Sequence, residues 1–345
     1  MILVTGGAGF IGSHTCVELL DRGYEVVVAD NLCNSHEEAI SRVEKITGKK
    51  VFFEKADIRD EKALDGIFCR YGIDCVIHFA GLKAVGESVS KPLEYYDNNL
   101  NSSLVLCKVM KRHGVSSLVF SSSATVYSPD NRMPLTEDSA TGNCTNPYGW
   151  TKFFSEKIFR SLCDSDSEFS VVLLRYFNPI GAHESGLIGE DPQGIPNNLV
   201  PYVAQTAAGK RERVTVYGND YNTPDGTGIR DYIHVADLAR AHILAVEYAL
   251  GHKGCEVFNV GTGHGLSVLE VISAFSAACG KKIPYVIGNR RPGDIACCYA
   301  DCEKAKALLG FEARYDIGKM CEDSWRWQKN NPDGYRGSYG QKQIE

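Results

Sequence analysis

Short unbroken apolar runs alternate, along the first half of this chain, with longer stretches in which apolar positions recur every three or four residues. The runs are Ile2-Leu-Val-Thr5 and the segments 25–30, 51–57, 75–81, 117–123 and 169–176. Runs of this length bounded by turn signals read as strands covered on both faces, as in a parallel sheet. Between them, 13–22, 61–71, about 94–113 and a segment opening at Asn146-Pro-Tyr148 read as helices, with Pro147 suited to a first helical turn. This alternation predicts an α/β fold, a doubly wound parallel sheet of the Rossmann type. The 94–113 helix carries Tyr96, Leu100, Leu104 and Val105 on more than one side. That pattern is expected where a helix buries a second face against a partner subunit.

Past Asn178 the alternation loosens. Polar loops at 190–198 and 218–228 dominate, and long connections of this kind commonly carry specificity. Strand and helix signals return at 230–235, 236–248 and 257–260, and these are expected to rejoin the main sheet. The expected organisation is a dinucleotide-binding domain from 1–177 plus about 230–262, and a smaller, discontinuous α/β substrate domain from about 178–229 plus 263–335. A polar, aperiodic tail at 336–345 is expected to be mobile.

Bulk composition narrows the function. A length of 345 residues with 43% hydrophobic content supports a large core, and a net charge of −6 argues against nucleic acid or a membrane surface as partner. No run approaches the ~18 apolar residues that span a bilayer. The N-terminal strand enters a glycine loop at once, so no signal peptide is expected and the location expected is cytoplasmic. The 13 cysteines form no Cys-x-x-Cys pair and read as reduced thiols, without a disulfide frame or a metal site.

Candidate chemistry begins at Gly6-Gly-Ala-Gly9-Phe10-Ile11-Gly12. Following a strand and opening a helix, these glycines allow a tight turn and close approach of backbone to a pyrophosphate, which the helix N-terminus then favours. Asp30 ends the second strand, where a carboxylate accepts from ribose hydroxyls and repels a 2′-phosphate. Asn31 to Ser35 offers no arginine for such a phosphate, so NAD is expected over NADP. By position Asp57 and Ile58 border the adenine, while Phe79, Ala80 and Gly81 lie at a strand end near the phosphates. His78, inside an apolar strand, reads as a core histidine. Ser123 ends a strand at the edge where open sheets bind ligands. Tyr148 and Lys152 stand four apart on one helix face. A neighbouring ammonium is expected to draw the phenol below its usual value near 10, so that it can take a proton from a sugar hydroxyl.

The glycine loop, Ser123 and Tyr148-Gly-Trp-Thr-Lys152 together resemble the extended short-chain dehydrogenase/reductase family. Longer phrases, among them His78-Phe-Ala-Gly-Leu-Lys-Ala-Val-Gly-Glu-Ser88, Arg175-Tyr-Phe-Asn-Pro-Ile-Gly-Ala-His183 and Arg290-Arg-Pro-Gly-Asp294, are similar to the branch that inverts C4 of UDP-hexoses. The resemblance implies a homodimer with bound NAD that oxidises the sugar transiently, Tyr148 being the base, Lys152 a ribose contact and Ser123 a partner of the reacting oxygen. It further implies cofactor contacts from Phe10, Ile11, Asn31, Asn34, Ser35, Lys83, Asn98 and Phe177. Substrate contacts are implied at Lys83, Asn178, Asn198, Leu199, Val216, Tyr217, Arg230, Arg291 and Asp294.

By the same resemblance, a tyrosine at position 298 narrows the sugar pocket, and Cys298 leaves room for an N-acetyl group, so UDP-GlcNAc and UDP-GalNAc are expected substrates too. Two alternatives are weighed against this reading. A nucleotide-sugar dehydratase or decarboxylase of the same fold needs acids beside its hydroxyl to expel water, where this chain has Ala124 and Thr125. A non-catalytic NAD-sensing regulator has no need of the Tyr148–Lys152 pair.

Overall fold

The computed structural model describes residues 1–291 and 293–338. Its main sheet is parallel and seven-stranded. The strands are β1 (Ile2–Thr5), β2 (Val26–Asp30), β3 (Phe52–Lys55), β4 (Cys75–His78), β5 (Ser117–Ser121), β6 (Ser170–Tyr176) and, returning late, β10 (Gly254–Val260). Their order is β10-β6-β5-β4-β1-β2-β3, so the winding reverses between β1 and β4. Register sets Thr5 opposite both Ala29 and His78.

Helices α1 (Phe10–Asp21), α2 (Glu38–Thr47) and α8 (Val235–Gly251) cover one face. Helices α3 (Glu61–Arg70), α5 (Pro92–Arg112) and α6 (Pro147–Ser165) cover the other, with the short α4 (Val85–Ser90) beside α5. The two faces hold separate apolar cores, one with Val4, Val28, Leu19 and Phe258, the other with Leu3, Val76, Leu106 and Phe159. Every residue of β1, β2, β4, β5 and β6 is buried, which is why these strands read as unbroken apolar runs.

The remaining elements build two smaller sheets. β9 (Ile229–His234) pairs with β11 (Gly265–Ser267), with β13 (Cys297–Cys298) and with β7 (Asn178–Ile180). β8 (Val214–Tyr217) pairs with β12 (Tyr285–Gly288). Helices α7 (Leu199–Ala207), α9 (Val268–Cys279) and α11 (Ile317–Asn330) pack on these through Val203, Phe275 and Met320. α10 (Glu303–Leu309) lies against β10.

One expectation fails: β9 does not rejoin the main sheet, although α8 and β10 do. The free edge of β6 is taken by β10 in full register, Gly254 to Val260 opposite Ser170 to Tyr176. The buried carboxylate of Asp231 holds β9 in the smaller sheet by accepting from the backbone N–H groups of Thr262, Gly263 and Ala300. At the other end, 336–338 belong to a 3-10 helix, Gly334–Ser338, in which Tyr335 is buried. The rest of the expected tail, 339–345, lies outside the described residues.

Candidate active site

The reversal between β1 and β4 opens a crevice at the carboxyl ends of the strands, the usual ligand site of open α/β sheets. Gly6 leaves β1 with φ +71°, and a Cβ on it would lie 2.8 Å from the Ala80 nitrogen at the end of β4. A Cβ on Gly12 would lie 2.4 Å from the Gly6 oxygen and 2.7 Å from the Gly7 Cα. Any larger residue would therefore push α1 off the loop. Gly9 is the N-cap of α1 and offers no side-chain bond to the helix's free N–H groups, leaving them for an anion.

Asp30 is buried, its carboxylate fixed by the Ala8 and Leu32 N–H groups at 3.1 and 2.9 Å and by the Ser35 hydroxyl at 2.8 Å. Asp57 accepts from Asn31 at 3.2 Å and from Arg59, whose guanidinium draws its carboxyl down to about 2. Ile58 is buried below the loop, and Phe79 packs its ring 4.7 Å from that of His242. Gly81 faces Asn99, which also accepts from Asn98. Asn34, by contrast, is exposed. His78 is buried with Nδ1 2.7 Å from the Thr5 hydroxyl and is pushed down to about 3 by desolvation, a core histidine as expected.

Helix α6 starts from an Asn146 cap onto the Gly149 N–H, and its first two turns bring Tyr148 and Lys152 to the ends of β5 and β6. Both are buried, at 8% and 7% exposure. The Lys152 ammonium donates to the Ser121 carbonyl at 2.6 Å and lies 5.8 Å from the centre of the Tyr148 ring. Ser123 accepts from the N–H of Thr125 at 3.2 Å and from its hydroxyl at 3.0 Å, which leaves its own proton for Tyr148.

The expected fall in the phenol's pKa is not found. Desolvation raises Tyr148 above its usual 10 despite the lowering influence of the Ser123 hydroxyl, and lowers Lys152 from 10.5 to about 8. Removal from water outweighs the pair's mutual attraction, because Lys152 turns its charge onto Ser121 instead of onto the phenol.

From the smaller sheets, Arg230 reaches Asp294 at 3.4 Å, and Cys298 stands opposite Arg230 in register. Cys298 and Ala124 both pack on the small cluster of Val126, Tyr127, Leu135, Phe177 and Ala300, which links β13 to the segment that follows Ser123. The Arg291 guanidinium stacks 4.0 Å from the centre of the Tyr217 ring. Lys83 and Asn198 meet on one carboxylate, that of Glu190, at 3.4 and 3.0 Å. Asn198 caps α7 just before Leu199, and Asn178 opens β7. Val216 is the exception: it is 1% exposed with its side chain in the core beside Val200, so a ligand meets its backbone at most. Glu190, Glu156 and Ser122 were not foreseen. Glu156 had a signal, since it continues the Tyr148–Lys152 stripe by one more turn.

A doubly wound sheet with this glycine loop and a buried Tyr-x-x-x-Lys pair above it defines a dinucleotide-dependent enzyme class acting on hydroxyl carbons. The chain belongs to the NAD dependent epimerase/dehydratase family, whose model matches residues 2–261. It is 59% identical to the UDP-glucose 4-epimerase of Bacillus subtilis over 337 residues, 98% of this chain and 99% of that one. It is 56% identical to the Homo sapiens UDP-glucose 4-epimerase over 340 residues, 97% and 98% of the two chains. Among solved structures, the Bifidobacterium longum UDP-glucose 4-epimerase in complex with NAD⁺ and UDP superposes with a TM-score of 0.94 at 57% identity, covering 96% of this chain and 99% of that one.

Proposed function

We propose that this protein interconverts UDP-galactose and UDP-glucose by inverting C4, with NAD held in the crevice. The observation that carries the proposal is the buried Ser123–Tyr148–Lys152 constellation at the strand ends beside a glycine loop cut to backbone clearance. That loop fits a pyrophosphate and Asp30 fits a ribose diol. When bound, NAD accepts the C4 hydride and returns it, so no net oxidation occurs.

Tyr148 takes the proton of the C4 hydroxyl and later gives it back. Its raised pKa must fall for this, and Lys152, with the positive charge that bound NAD⁺ would supply, favours the phenolate. Ser123, with its acceptor sites filled by Thr125, donates to the phenol or the sugar oxygen. Lys152 holds ribose hydroxyls of the cofactor. Phe10, Ile11, Asn31, Asn34, Ser35, Asp57, Ile58, Phe79, Ala80, Gly81, Lys83, Asn98 and Phe177 complete the cofactor's surroundings. Arg230 and Arg291 grip the diphosphate through charge-assisted forks, Tyr217 and the Val216 backbone flank the uracil, Asp294 accepts from ribose, and Asn178, Asn198 and Leu199 meet diphosphate and sugar. The ketose turns over within the site before reduction. Cys298 leaves room at C2, so UDP-GlcNAc and UDP-GalNAc are substrates as well.

In this reading the main sheet with its helices is the cofactor unit, and the smaller sheets with α7, α9 and α11 form the sugar-nucleotide unit. The protein acts in the cytoplasm; among the described residues no helix is long and apolar enough to cross a membrane. It acts as a homodimer that covers Val85, Val89, Leu93, Leu104 and Phe154, exposed large apolar side chains of α4, α5 and α6. The test is incubation of purified protein with UDP-galactose and no added NAD. UDP-glucose forming without net NADH supports the proposal; stoichiometric NADH or a dehydrated sugar overturns it.

A further inference from the structure

Behind Tyr148 and Lys152 lies a charged pair that the proposed chemistry does not use. Glu156 is one turn beyond Lys152 on the same stripe of α6 and is 3% exposed. Its carboxylate receives Arg175 as a fork, from Nε at 2.9 Å and from a terminal nitrogen at 2.6 Å. The Ser122 hydroxyl donates to the same carboxylate at 2.6 Å. Arg175 also donates to the Glu137 carbonyl at 3.2 Å and lies over the Tyr127 ring at 4.8 Å.

Three consecutive serines at the end of β5 are thus fixed to different ends. The Ser121 carbonyl holds Lys152, the Ser122 hydroxyl is clamped to Glu156, and Ser123 faces Tyr148. We propose that Glu156, neutralised by Arg175 and clamped by Ser122, is the positioning residue that sets β5 against α6 and keeps Lys152 in its charged form. The proposal rests on the epimerase reading for its activity readout.

The groups around Lys152 support this assignment. From its own helix come Tyr148 and Glu156, from β4 His78, and from β5 the Ser121 carbonyl and the Phe120 ring; Arg175 of β6 is held on Glu156, and Tyr176 of β6 and Tyr95 of α5 lie on the Tyr148 side. Burial keeps His78 neutral and raises Tyr148, Tyr95 and Tyr176. Glu87 of α4 is engaged with Tyr95 and Lys91 further out. Among the described residues, Glu156 is then the charged group whose field acts on the ammonium, and Arg175 is paired with it. Glu156 is the one that raises its proton affinity, and a carboxylate one turn away in a dry site acts through a low effective dielectric.

Glu156→Gln removes that charge and leaves Arg175 uncompensated. The expected result, per NAD-loaded site, is an alkaline limb of kcat displaced downward by about one pH unit or more, so that the loss at pH 8.5 exceeds the loss at pH 6.5 by about tenfold, with KM little changed. Ser122→Ala, which keeps all charges, is expected to lower kcat about fivefold without moving the limb. A merely structural role would lower stability and NAD retention in both variants yet leave kcat and the limb per loaded site as in the unmodified protein, and that result overturns the proposal. Should Glu156→Gln not fold, unchanged kcat in Ser122→Ala overturns it alone. The pH at which stability to urea begins to rise reports the same Lys152 proton without turnover. An inactive parent protein therefore refutes the epimerase reading, while an unshifted rise in Glu156→Gln refutes this one.

Discussion

Lys152→Met exchanges a buried ammonium for an apolar side chain of similar length, and the structure fixes both the sign and the size of the effect. Burial lowers the lysine from 10.5 to about 8, and each unit corresponds to ~1.4 kcal/mol, so the charged form costs the fold about 3 kcal/mol at neutral pH. Against this, methionine leaves the Ser121 carbonyl without its donor at 2.6 Å, a loss of ~1–3 kcal/mol. The variant is expected to be more stable than its parent by about 1 kcal/mol at pH 7. Because the folded-state pKa lies below the unfolded one, the unfolded chain binds more protons between about pH 8 and pH 10.5, and the parent gains stability as pH rises through that window. The gain between pH 7 and pH 9.5 is about 2 kcal/mol, and the variant lacks it. Urea unfolding of nucleotide-free parent and variant at both pH values measures the difference, in which the other titrating groups cancel. If the gap between the two proteins is the same at pH 7 and pH 9.5, the lysine is not held as a desolvated cation and the reasoning fails.

Three further outcomes are expected. Tyr148→Phe keeps the buried ring but loses the oxygen that exchanges the proton, so kcat for UDP-galactose falls ~10²–10⁴-fold with the melting temperature within a few degrees of the parent's; a coupled UDP-glucose assay decides. Gly12→Ala sets a methyl 2.4 Å from the Gly6 oxygen, and relief of an overpacked contact of this kind costs ~1–3 kcal/mol. The purified variant should retain at most about a fifth of the parent's NAD, measured after acid release, and full retention would contradict the clearance argument. Cys298→Tyr adds bulk on the cluster that holds Phe177 and should suppress turnover of UDP-GlcNAc at least tenfold while UDP-galactose turnover stays within about threefold. A parent that never converts UDP-GlcNAc removes the basis of that proposal.

The main sheet was legible because burial on both faces leaves an apolar run, and each of β1, β2, β4, β5 and β6 has one. The glycine loop was legible because backbone clearance admits one residue type. The small strands gave no such trace. β13 is two residues long and β9 carries Arg230 and Asp231, so neither shows the period of a strand, and what fixes β9 is a carboxylate bonded to distant N–H groups. The site was legible as residue types and spacing, not as electrostatics. Tyr148 and Lys152 are neighbours as their spacing requires, yet whether an ammonium lowers a phenol depends on where the ammonium points and on how much water remains. Glu190 was legible only as the start of a polar loop, because it becomes part of the site when Lys83 and Asn198, far apart in the chain, converge on it.

These electrostatics bear on how a redox-neutral site avoids idle chemistry. Desolvation moves Tyr148 and Lys152 in opposite directions on the pH scale but toward the same state, since it favours a neutral phenol and weakens the hold on the ammonium proton. In the proposed mechanism, a base made in this way is strengthened by any further positive charge placed beside it. In the same proposed mechanism, proton removal from the sugar is then coupled to the group that must take the hydride. The buried Glu156–Arg175 pair fits the same logic, because in the proposed role it keeps Lys152 charged while adding no net charge beside the phenol. A buried ion pair is weak evidence for stability. Here its worth lies in position: it ties the strand end bearing Ser123 to the helix bearing Tyr148, the two parts between which a single proton has to move out and back.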